Sequence, residues 1–370
     1  MALRDRGMKE KSTDVIVMGA GAWGLSVAWA CARRGLSVRV VEAQRIGSGA
    51  SGGLVGALSP HVPDQWNAKK QFQFEALASA DQYWEDVAEV CGVDPAYGRI
   101  GRVIPILDES HRALSEARKR SAKDLWRGLY DWDVVDEVPN YLNPKTAPFG
   151  IVYETLSARI DPRRMTLALA QACHAYGVDI QEDCEATLSG EGVVRTKDRV
   201  FEAGAVVVAT GVAGLEWLGR HFGKSAGGAV KGQAALLGAT LGDVPQIFAD
   251  GLYVIPHKDG TTAVGSTSEN TWVSTGTDGQ LEDVLETART LCPSLIGAPI
   301  LERWAGFRPK ARRRDPMLGP IPGLRNTYAA LGAFKIGLGL VPKVGDVLAD
   351  YVEGGRPDVP PSFTVTHHLA

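Results

Sequence analysis

The apolar and polar positions near the start of the chain predict a strand, a tight turn, a helix and a second strand. Residues 15–18 form a short apolar run that predicts a buried strand. The chain carries no charge from there to residue 32, where two arginines and then Gly35 predict the helix end and its C-cap. The segment 37–42, Ser-Val-Arg-Val-Val-Glu, predicts the second strand. This order is typical of a strand–helix–strand unit in an α/β fold.

Three glycines and one carboxylate stand in this unit at the spacing of a dinucleotide-binding motif. Gly19 allows the tight turn, Gly21 lets the backbone approach a pyrophosphate, and Gly24 lets the helix pack close to the sheet. Glu42 ends the second strand, where a carboxylate can accept hydrogen bonds from both ribose hydroxyls. The helix N-terminus would direct its amides at the phosphates. The predicted cofactor contacts in this unit are Gly19, Gly21, Ala22, Trp23, Gly24 and Glu42.

The uncharged run over residues 15–32 has a second interpretation as a signal peptide or membrane helix, since a membrane helix needs about eighteen apolar residues. The three glycines argue against it, because glycine is a poor helix former and stands here where a turn is needed. A buried strand, a turn and a packed helix explain the run better. Residues 1–13 are then predicted to be a loose, charged leader.

Composition adds three constraints. The chain has 370 residues, of which 45% are apolar, so it can bury a sizeable core and form two domains. Its formal net charge of −3 argues against a general nucleic-acid binder. The five cysteines are widely spaced and show no paired Cys/His pattern, which predicts free thiols, no metal site and a reducing, cytoplasmic compartment.

Later stretches predict further helices and a change to paired strands. Residues 70–92 predict one long amphipathic helix. The Asp-Pro pair at 161–162 predicts the start of another helix. The runs 253–256 and 262–265 are joined by an Asp-Gly turn, which predicts a β-hairpin. Residues 342–353 predict the last helix.

A nucleotide-binding pattern interrupted by strand pairs predicts the fold class. We expect an α/β protein in which a Rossmann-like domain is interleaved with an α+β domain that carries a largely antiparallel sheet. This order fits a flavoprotein better than a nicotinamide dehydrogenase. The predicted FAD-binding domain comprises residues 1–95, 146–222 and 318–370, and the predicted substrate domain comprises residues 96–145 and 223–317.

Short motifs follow one another in a fixed order from residue 14 to residue 354. Besides the dinucleotide motif they are 49–51, 161–162, 209–211, 231–233, 253–256, 265–267, 304–309 and 332–337. With these motifs the chain resembles the FAD-dependent D-amino-acid oxidase family, on the branch of glycine oxidase and bacterial D-amino-acid dehydrogenase. The resemblance implies an FAD cofactor with further contacts at Ala50, Ser51, Gly56, Ala209, Thr210, Gly211, Gly332, Lys335, Gly337 and Gly339.

The resemblance also implies how the flavin is held. Ser51 is expected to contact a phosphate or the ribitol, and the glycines of the segment 332–339 are expected to let backbone amides reach the flavin ring. The alternative for those glycines is an ordinary connecting loop. Relatives that resemble sarcosine oxidase attach their flavin through a cysteine after the Arg-Pro motif. Residues 310–315 contain no cysteine, so we expect noncovalent FAD.

Arg308 is the predicted anchor of a substrate carboxylate. A guanidinium binds a carboxylate through two parallel hydrogen bonds, and the resemblance gives this role to the arginine of the Gly-Phe-Arg-Pro motif. The alternatives are an arginine paired with an internal acid and an arginine that braces the chain before Pro309. The resemblance also implies that the Tyr253 hydroxyl reaches the same carboxylate, and the alternative is a plain core tyrosine.

The chain departs from the family pattern at Lys335. Glycine oxidase-like sequences often read Gly-His-Phe-Arg-Asn-Gly here, whereas this chain reads Gly-Ala-Phe-Lys-Ile-Gly. Lys335 is expected either to touch the substrate, the flavin carbonyls or oxygen, or to face solvent. The basic residues in 310–314 are interpreted as a solvated loop, with attraction of acidic substrates and docking to a partner or an anionic membrane as alternatives.

Together these features predict an enzyme that oxidises the carbon–nitrogen bond of a small amino acid, with glycine, sarcosine and D-amino acids all open. Hydride transfer to flavin N5 would give an imine that hydrolyses to a 2-oxo acid and ammonia, with dioxygen as acceptor. One alternative is a dehydrogenase of the same fold that passes electrons to a quinone or a carrier. Another is a flavin-binding module without turnover. The sequence does not indicate membrane association or an oligomeric state.

Overall fold

The computed structural model describes residues 12–370, so most of the predicted leader lies outside the described residues. The helices of this part are α1 (Ala22–Arg33), α2 (Ala68–Ala78), α3 (Ala80–Cys91), α4 (Glu109–Leu125), α5 (Pro162–Ala175), α6 (Gly211–Phe222), α7 (Gln280–Leu291), α8 (Gly337–Val352) and α9 (Val365–Leu369). The strands are β1 (Thr13–Met18), β2 (Val38–Val41), β3 (Ala57–Leu58), β4 (Arg102–Pro105), β5 (Trp132–Val135), β6 (Ile151–Glu154), β7 (Ala158–Arg159), β8 (Asp179–Gln181), β9 (Thr187–Gly190), β10 (Val193–Arg195), β11 (Val200–Val208), β12 (Gly227–Leu237), β13 (Gln246–Ala249), β14 (Leu252–Pro256), β15 (Thr262–Gly265), β16 (Ile300–Ala311), β17 (Met317–Pro320) and β18 (Thr327–Leu331).

The first sheet contains the predicted strand–helix–strand unit. Its strand order is β17-β18-β11-β1-β2-β8, and β1 pairs in parallel with both β11 and β2. Alternate residues of β1 belong to different cores: Val15 and Val17 pack in the core that includes α1, whereas Ile16 and Met18 pack in the core that includes α6. Side chains alternate across a strand, so β1 is buried on both faces, and this explains its continuous apolar run.

The second sheet is largely antiparallel, with the strand order β16-β12-β15-β14-β13-β4-β6-β5 and one parallel pair, β13 with β4. The predicted hairpin is confirmed as β14 and β15, where Tyr253 pairs with Gly265. The predicted α/β fold class is therefore confirmed. Strand β6 lies in this second sheet, although the boundary predicted at residue 146 assigned it to the FAD-binding domain. The domain boundaries themselves stay a prediction.

Two predicted helices differ from the observed ones. The helix predicted over 70–92 is two helices, α2 and α3, because Ser79 stands between them and its Oγ donates to the Ala76 carbonyl at 3.1 Å. The last helix, predicted over 342–353, begins earlier, at Gly337, and Pro342 lies inside it. A proline usually marks a helix start because it has no amide hydrogen to donate. Here the helix continues through the proline.

Helices α1 and α8 touch at a glycine. A Cβ on Gly345 would lie 2.5 Å from Ser26 Oγ and 2.6 Å from the Ser26 carbonyl oxygen. Ser26 is fully buried, and its Oγ donates to the Val341 carbonyl at 2.7 Å and accepts from the Tyr83 hydroxyl at 2.9 Å. The contact therefore joins the N-terminal dinucleotide-binding unit to the last long helix of the chain.

Replacing Gly345 by alanine is expected to lower the free energy of unfolding by about 1–3 kcal/mol, the usual cost of overpacking, because backbone atoms of Ser26 occupy the space. Helix propensity alone would give the opposite sign, a gain of roughly 1 kcal/mol. Denaturant and thermal unfolding of the flavin-free protein measure the change. Gly279→Ala is the matched control, since a Cβ there meets nothing within 4 Å. An unchanged or raised stability in Gly345→Ala would contradict the close contact.

Three further properties concern the chemistry of the described residues. The five cysteines all fall within them and form no disulfide. No group of histidine, cysteine and carboxylate side chains in residues 12–370 is arranged to hold a metal ion. None of the helices described combines the length and the apolar character that a bilayer span requires.

Candidate active site

The first turn of the dinucleotide motif is shaped by close backbone contacts. Gly19 has φ +103°, a conformation that favours glycine, and a Cβ there would lie 2.6 Å from the Ala209 carbonyl oxygen. A Cβ on Gly24 would lie 2.0 Å from the Gly19 carbonyl oxygen. Both glycines are thus required by the protein's own packing, as the motif predicts for the turn and for the helix–strand contact.

Gly21 is different, because little of the protein itself fills the space beside it. A Cβ there would meet Ser51 Oγ, a side-chain atom, at 3.2 Å. Ser51 Oγ also accepts a hydrogen bond of 3.0 Å from the Ala22 amide. The first turn of α1 carries no acidic residue and no side-chain cap. A helix N-terminus whose N-cap residue is a glycine, with no side chain to accept from the helix amides, is suited to a phosphate group.

Glu42 lies directly after β2, and its carboxylate faces the turn. Oε2 accepts from the Ala20 amide at 2.8 Å, and Oε1 accepts from the Gln44 amide at 2.9 Å. A carboxylate has about four acceptor sites, so each oxygen keeps one for another donor. The side chain is half-buried, so a vicinal diol can reach it. The backbone hydrogen bonds fix the orientation of the carboxylate.

The remaining motif residues on this side also lie close to the turn. The Ala209 amide donates to the Met18 carbonyl at 2.8 Å, and Thr210 is the N-cap of α6, which also lacks a side-chain cap. Gly211 has φ +58°. A Cβ on Gly56 would lie 1.6 Å from the Ile160 carbonyl oxygen, so this glycine is required by packing.

The segment from Gly332 to the start of α8 approaches the same region. Gly332 has φ +74°, and Gly337 and Gly339 lie in the first turn of α8. Trp23 Nε1 of α1 donates to the Gly337 carbonyl at 2.8 Å, which brings the N-terminal ends of α1 and α8 together. The N-terminus of α8 has neither an acidic residue nor a side-chain cap. Residues predicted from widely separated motifs therefore surround one place, and this cradle fits a dinucleotide.

Arg308 is a half-buried cation without an acidic partner. Its guanidinium donates to the Thr267 carbonyl at 3.1 Å and to Ser266 Oγ. No carboxylate of the described residues lies within 4.0 Å of it, which removes the alternative of an internal ion pair in this part of the chain. Burial lowers the pKa of Arg308, and the charge of Glu269 opposes this change. The guanidinium therefore keeps donors for an anion.

The strand register places Tyr253 and Arg308 on the same face of the second sheet. Tyr253 pairs with Gly265, Gly265 with Ala234, and Ala234 with Trp304. Paired residues of antiparallel strands share a face, and Arg308 follows Trp304 by an even number of residues along β16. The Tyr253 ring itself packs on Phe248, with the centroids 4.6 Å apart. Strands β15 and β12 lie between Tyr253 and Arg308. A ligand that contacts both side chains would therefore lie across these two strands.

This face is turned toward the cofactor cradle. A Cβ on Gly53 would lie 3.2 Å from the Trp304 ring, and a Cβ on Gly265 would lie 2.8 Å from Val55. Both Gly53 and Val55 belong to the segment that follows the short 3-10 helix Ala50–Gly52. The arginine and tyrosine candidates thus share the sheet face that covers the predicted dinucleotide site.

Lys335 and Lys310 both lie close to the aromatic ring of Phe334. Their Nζ atoms are 5.8 Å and 5.7 Å from the centroid of Phe334. Burial lowers the pKa of Lys335, and the neighbouring charges of Arg308 and Lys310 lower it further. The Lys335 side chain also reaches solvent. Lys335 is therefore part of a cationic group that includes Arg308.

The basic stretch predicted as one loop divides in the structure. β16 ends at Ala311, and the chain then turns away. Arg312 and Arg313 hydrogen-bond to backbone carbonyls at the end of the described chain, Arg312 to His368 and both to Ala370. Of the basic residues in 310–314, Lys310 is the one that lies beside the Phe334 ring.

Sequence reasoning missed the residues that position Arg308. A Cβ on Gly232 would lie 2.2–2.4 Å from the guanidinium, so this glycine provides its space. The segment that carries Ser266 and Thr267 is tied down by a buried ion pair, Lys231 with Glu269 at 3.2 Å, and by Lys231 with Asp278 at 2.9 Å. Gly232, Ser266 and Thr267 belong to the sequence motifs 231–233 and 265–267, but the spacing of these motifs does not show that they contact Arg308.

Comparison with known proteins identifies the family of the chain. Residues 14–351 match the family model DAO, described as FAD dependent oxidoreductase. The chain is 30% identical to glycine oxidase of Pseudomonas putida over 372 residues, covering 95% of this chain and 97% of that protein. It is 28% identical to glycine oxidase of Pseudomonas aeruginosa, covering 95% and 98%. The crystal structure of glycine oxidase from Geobacillus kaustophilus superimposes with a TM-score of 0.85 at 24% identity, covering 98% of this chain and all of that one.

The matched region includes both sheets, the dinucleotide motif and the strand that carries Arg308. The predicted family and the predicted FAD cofactor are therefore confirmed. The chain belongs to the DAO family of FAD-dependent oxidoreductases.

Proposed function

We propose that this enzyme oxidises the carbon–nitrogen bond of a small amino acid, with glycine, sarcosine and D-amino acids as the candidate substrates and dioxygen as the electron acceptor. The observation that carries the proposal is Arg308, a half-buried guanidinium that has no carboxylate partner among the described residues and lies on the sheet face above the cofactor cradle. Two relatives with this fold and similar length are glycine oxidases.

The residues of the cradle would hold the cofactor. Glu42 would accept the ribose hydroxyls, and the first turn of α1 with Ser51 would bind the phosphates. The glycines at 332, 337 and 339 are the proposed points where the backbone approaches the flavin ring. A Cβ on each would also meet protein atoms, at 2.5–3.0 Å, so packing requires these glycines as well. Bound FAD supplies a two-electron acceptor for a hydride. Noncovalent attachment stays our proposal for this chain.

Arg308 would then set the orientation of the substrate. Two parallel hydrogen bonds from the guanidinium fix both the position and the direction of a carboxylate. The Tyr253 hydroxyl lies on the same sheet face as Arg308, two strands away, and would give the carboxylate a third contact. A carboxylate held in this way places the adjacent α carbon and its amine in one defined pose, which is the main requirement of a hydride transfer.

The proposed oxidation requires these residues only to bind the substrate, and its atoms and electrons balance as follows. The α carbon loses a hydride and the nitrogen loses a proton, so a carbon–nitrogen double bond forms. Water adds to this imine, and the 2-oxo acid and ammonia, or a primary amine from an N-substituted substrate, are released. Dioxygen takes up the two electrons and two protons and becomes hydrogen peroxide. If a quinone or a carrier protein takes the electrons instead, the enzyme is a dehydrogenase.

Anaerobic flavin reduction tests the proposal. The purified yellow enzyme is mixed without air with glycine, sarcosine, D-alanine, D-proline and, as a control, L-alanine. We expect at least one of the first four to bleach the absorption band of oxidised flavin within seconds to minutes and L-alanine to bleach it far more slowly. Absence of bleaching by all of these amines and by the dicarboxylates D-aspartate and iminodiacetate would contradict the proposed reaction.

The acceptor is tested in the same cuvette. After bleaching, air is admitted, and recovery of the yellow colour is followed together with hydrogen peroxide. An oxidase recovers its colour in air with one peroxide formed per flavin. A flavin that stays bleached in air but recovers with a quinone would contradict dioxygen as acceptor and favour the dehydrogenase.

A further inference from the structure

Three cations meet in the candidate site with no acidic partner among the described residues. Arg308 and Lys310 lie on the same face of β16, because they are two residues apart on one strand. Lys335 faces them from the segment before α8, and the charges of Arg308 and Lys310 both act on it. No carboxylate in residues 12–370 lies within 4.0 Å of any of the three.

Glu269 is the acid whose charge acts on Arg308, and its carboxylate belongs to a network of two acids and one lysine. Glu269 attracts Arg308, but its own carboxylate pairs with the buried Lys231 at 3.2 Å. Lys231 also pairs with Asp278 at 2.9 Å. The two carboxylates share one ammonium, so the network keeps one negative charge against the three positive charges of Arg308, Lys310 and Lys335. Two positive charges of the group stay without compensation. Like charges held close together are unfavourable until an anion joins them, and the cost is larger where a member such as Arg308 is half-buried.

The Phe334 ring lies close to both ammonium groups. Lys310 Nζ and Lys335 Nζ lie 5.7 Å and 5.8 Å from its centroid, and the Phe334 amide donates to the Pro309 carbonyl at 3.0 Å. Phe334 has φ +42°, a strained conformation for a bulky residue. Strain of this kind is typical of ligand-binding segments. Lys310 Nζ also donates to Asn270 Oδ1 at 3.4 Å, a hydrogen bond that holds the ammonium in place without neutralising its charge.

A single carboxylate needs only the guanidinium, since the fork of an arginine satisfies both carboxylate oxygens. From this excess of positive charge we infer that the substrate carries two carboxylates: one binds Arg308, and the other binds between Lys310 and Lys335. This inference rests on the proposed function and specifies its substrate class, an amino acid with a second carboxylate on its nitrogen or on its side chain.

The test compares dicarboxylates with isosteric monoamides, which keep the shape and lose one charge. D-Aspartate is paired with D-asparagine, and iminodiacetate is paired with its monoamide. In the unmodified enzyme, kcat/KM for flavin reduction is expected to be about 10- to 100-fold higher for the dicarboxylate in one of the two pairs, the range for one hydrogen bond between charged groups. The aspartate pair places the second carboxylate on the side chain, and the iminodiacetate pair places it on the nitrogen.

The variant Lys310→Met removes one ammonium and keeps the length of the side chain. It is expected to reduce the ratio of kcat/KM between dicarboxylate and monoamide by about 10-fold or more. Lys197→Met, at an exposed turn beside β10, is the matched control and should keep the ratio of the unmodified enzyme. No preference for the dicarboxylate in either pair, or a preference that Lys310→Met leaves intact, would overturn the inference.

A binding measurement separates this inference from the proposed reaction. Oxydiacetate and methoxyacetate have no amine to oxidise, and each is titrated against the change that it causes in the flavin absorption spectrum. Oxydiacetate should bind about 10-fold or more tightly than methoxyacetate, and Lys310→Met should remove the difference. If no amine reduces the flavin while this difference is present, the proposed reaction fails and the dicarboxylate site stands. If amines reduce the flavin and the difference is absent, the dicarboxylate site fails.

Discussion

Replacing Arg308 by methionine is expected to lower kcat/KM for the best amine substrate by roughly 30- to 5,000-fold. The estimate follows from the cost of removing one partner of a desolvated charge pair, about 2–5 kcal/mol. Methionine fills the space that Gly232 leaves for the guanidinium but provides no donor. Stopped-flow reduction at varied substrate concentration measures the loss, which should appear mainly as weaker substrate binding. The flavin content of the variant should equal that of the unmodified enzyme, because the cradle contacts are made by other residues.

The control for this experiment lies on the same strand. Arg303 is on β16 but on the opposite face, where it pairs with Glu282 and is exposed. Arg303→Met should keep kcat/KM within about twofold, since exposed ion pairs contribute only about 0–1 kcal/mol. Arg308→Lys should recover part of the loss only, because an ammonium cannot form the two parallel bonds of a guanidinium. Near-normal kinetics in Arg308→Met would refute its role as the substrate anchor.

The part of the site that could be predicted from sequence is local. The strand, the turn at Gly19 and the helix that follows lie within a short stretch, and each has its own signal: an apolar run, a glycine with positive φ and an uncharged helix face. Glu42 was found by its distance along the chain. These features depend on backbone geometry near each residue, which the residue types determine directly.

The part that could not be predicted depends on strand pairing between distant segments. The sequence around Tyr253 does not predict that its side chain shares a sheet face with Arg308. That relation depends on the registers of three successive strand pairs, β14 with β15, β15 with β12, and β12 with β16. A slip of one residue in any of them would reverse the face. The space at Gly232 is hidden for the same reason. Its role is visible only when the guanidinium lies above it.

The same limit explains why the solvated loop predicted for the basic stretch fits Arg312, Arg313 and Arg314, which are exposed, but not Lys310, which lies on β16. In the sequence, four of the five residues from Lys310 to Arg314 are basic. In the structure β16 ends at Ala311, so Lys310 stays on the sheet face and Arg312 turns toward the end of the chain. Proximity along the chain predicted a common role, whereas the strand end separates the residues in space.

Gly21 and Gly24 are expected to respond differently to the same substitution, although both belong to one motif. A Cβ on Gly24 would overlap the Gly19 carbonyl oxygen at 2.0 Å, so Gly24→Val should destabilise the protein with or without cofactor. A Cβ on Gly21 would meet only the Ser51 hydroxyl at 3.2 Å, and its backbone, with φ −80° and ψ 179°, is one that valine adopts readily. Gly21→Val should therefore fold, and its new side chain should occupy the space that a pyrophosphate needs.

The expected result is a flavin-free Gly21→Val protein that is nearly as stable as the flavin-free parent but binds FAD roughly 10- to 100-fold more weakly, from an overpacking cost of about 1–3 kcal/mol. Thermal unfolding of the flavin-free proteins and titration with FAD, followed by flavin fluorescence, measure the two quantities separately. Gly228→Ala, at a site where a Cβ meets nothing within 4 Å, is the control for both. Equal loss of stability in Gly21→Val and Gly24→Val would show that the space beside Gly21 is needed for folding. Unchanged FAD affinity in Gly21→Val would show that the pyrophosphate does not approach the backbone at this glycine.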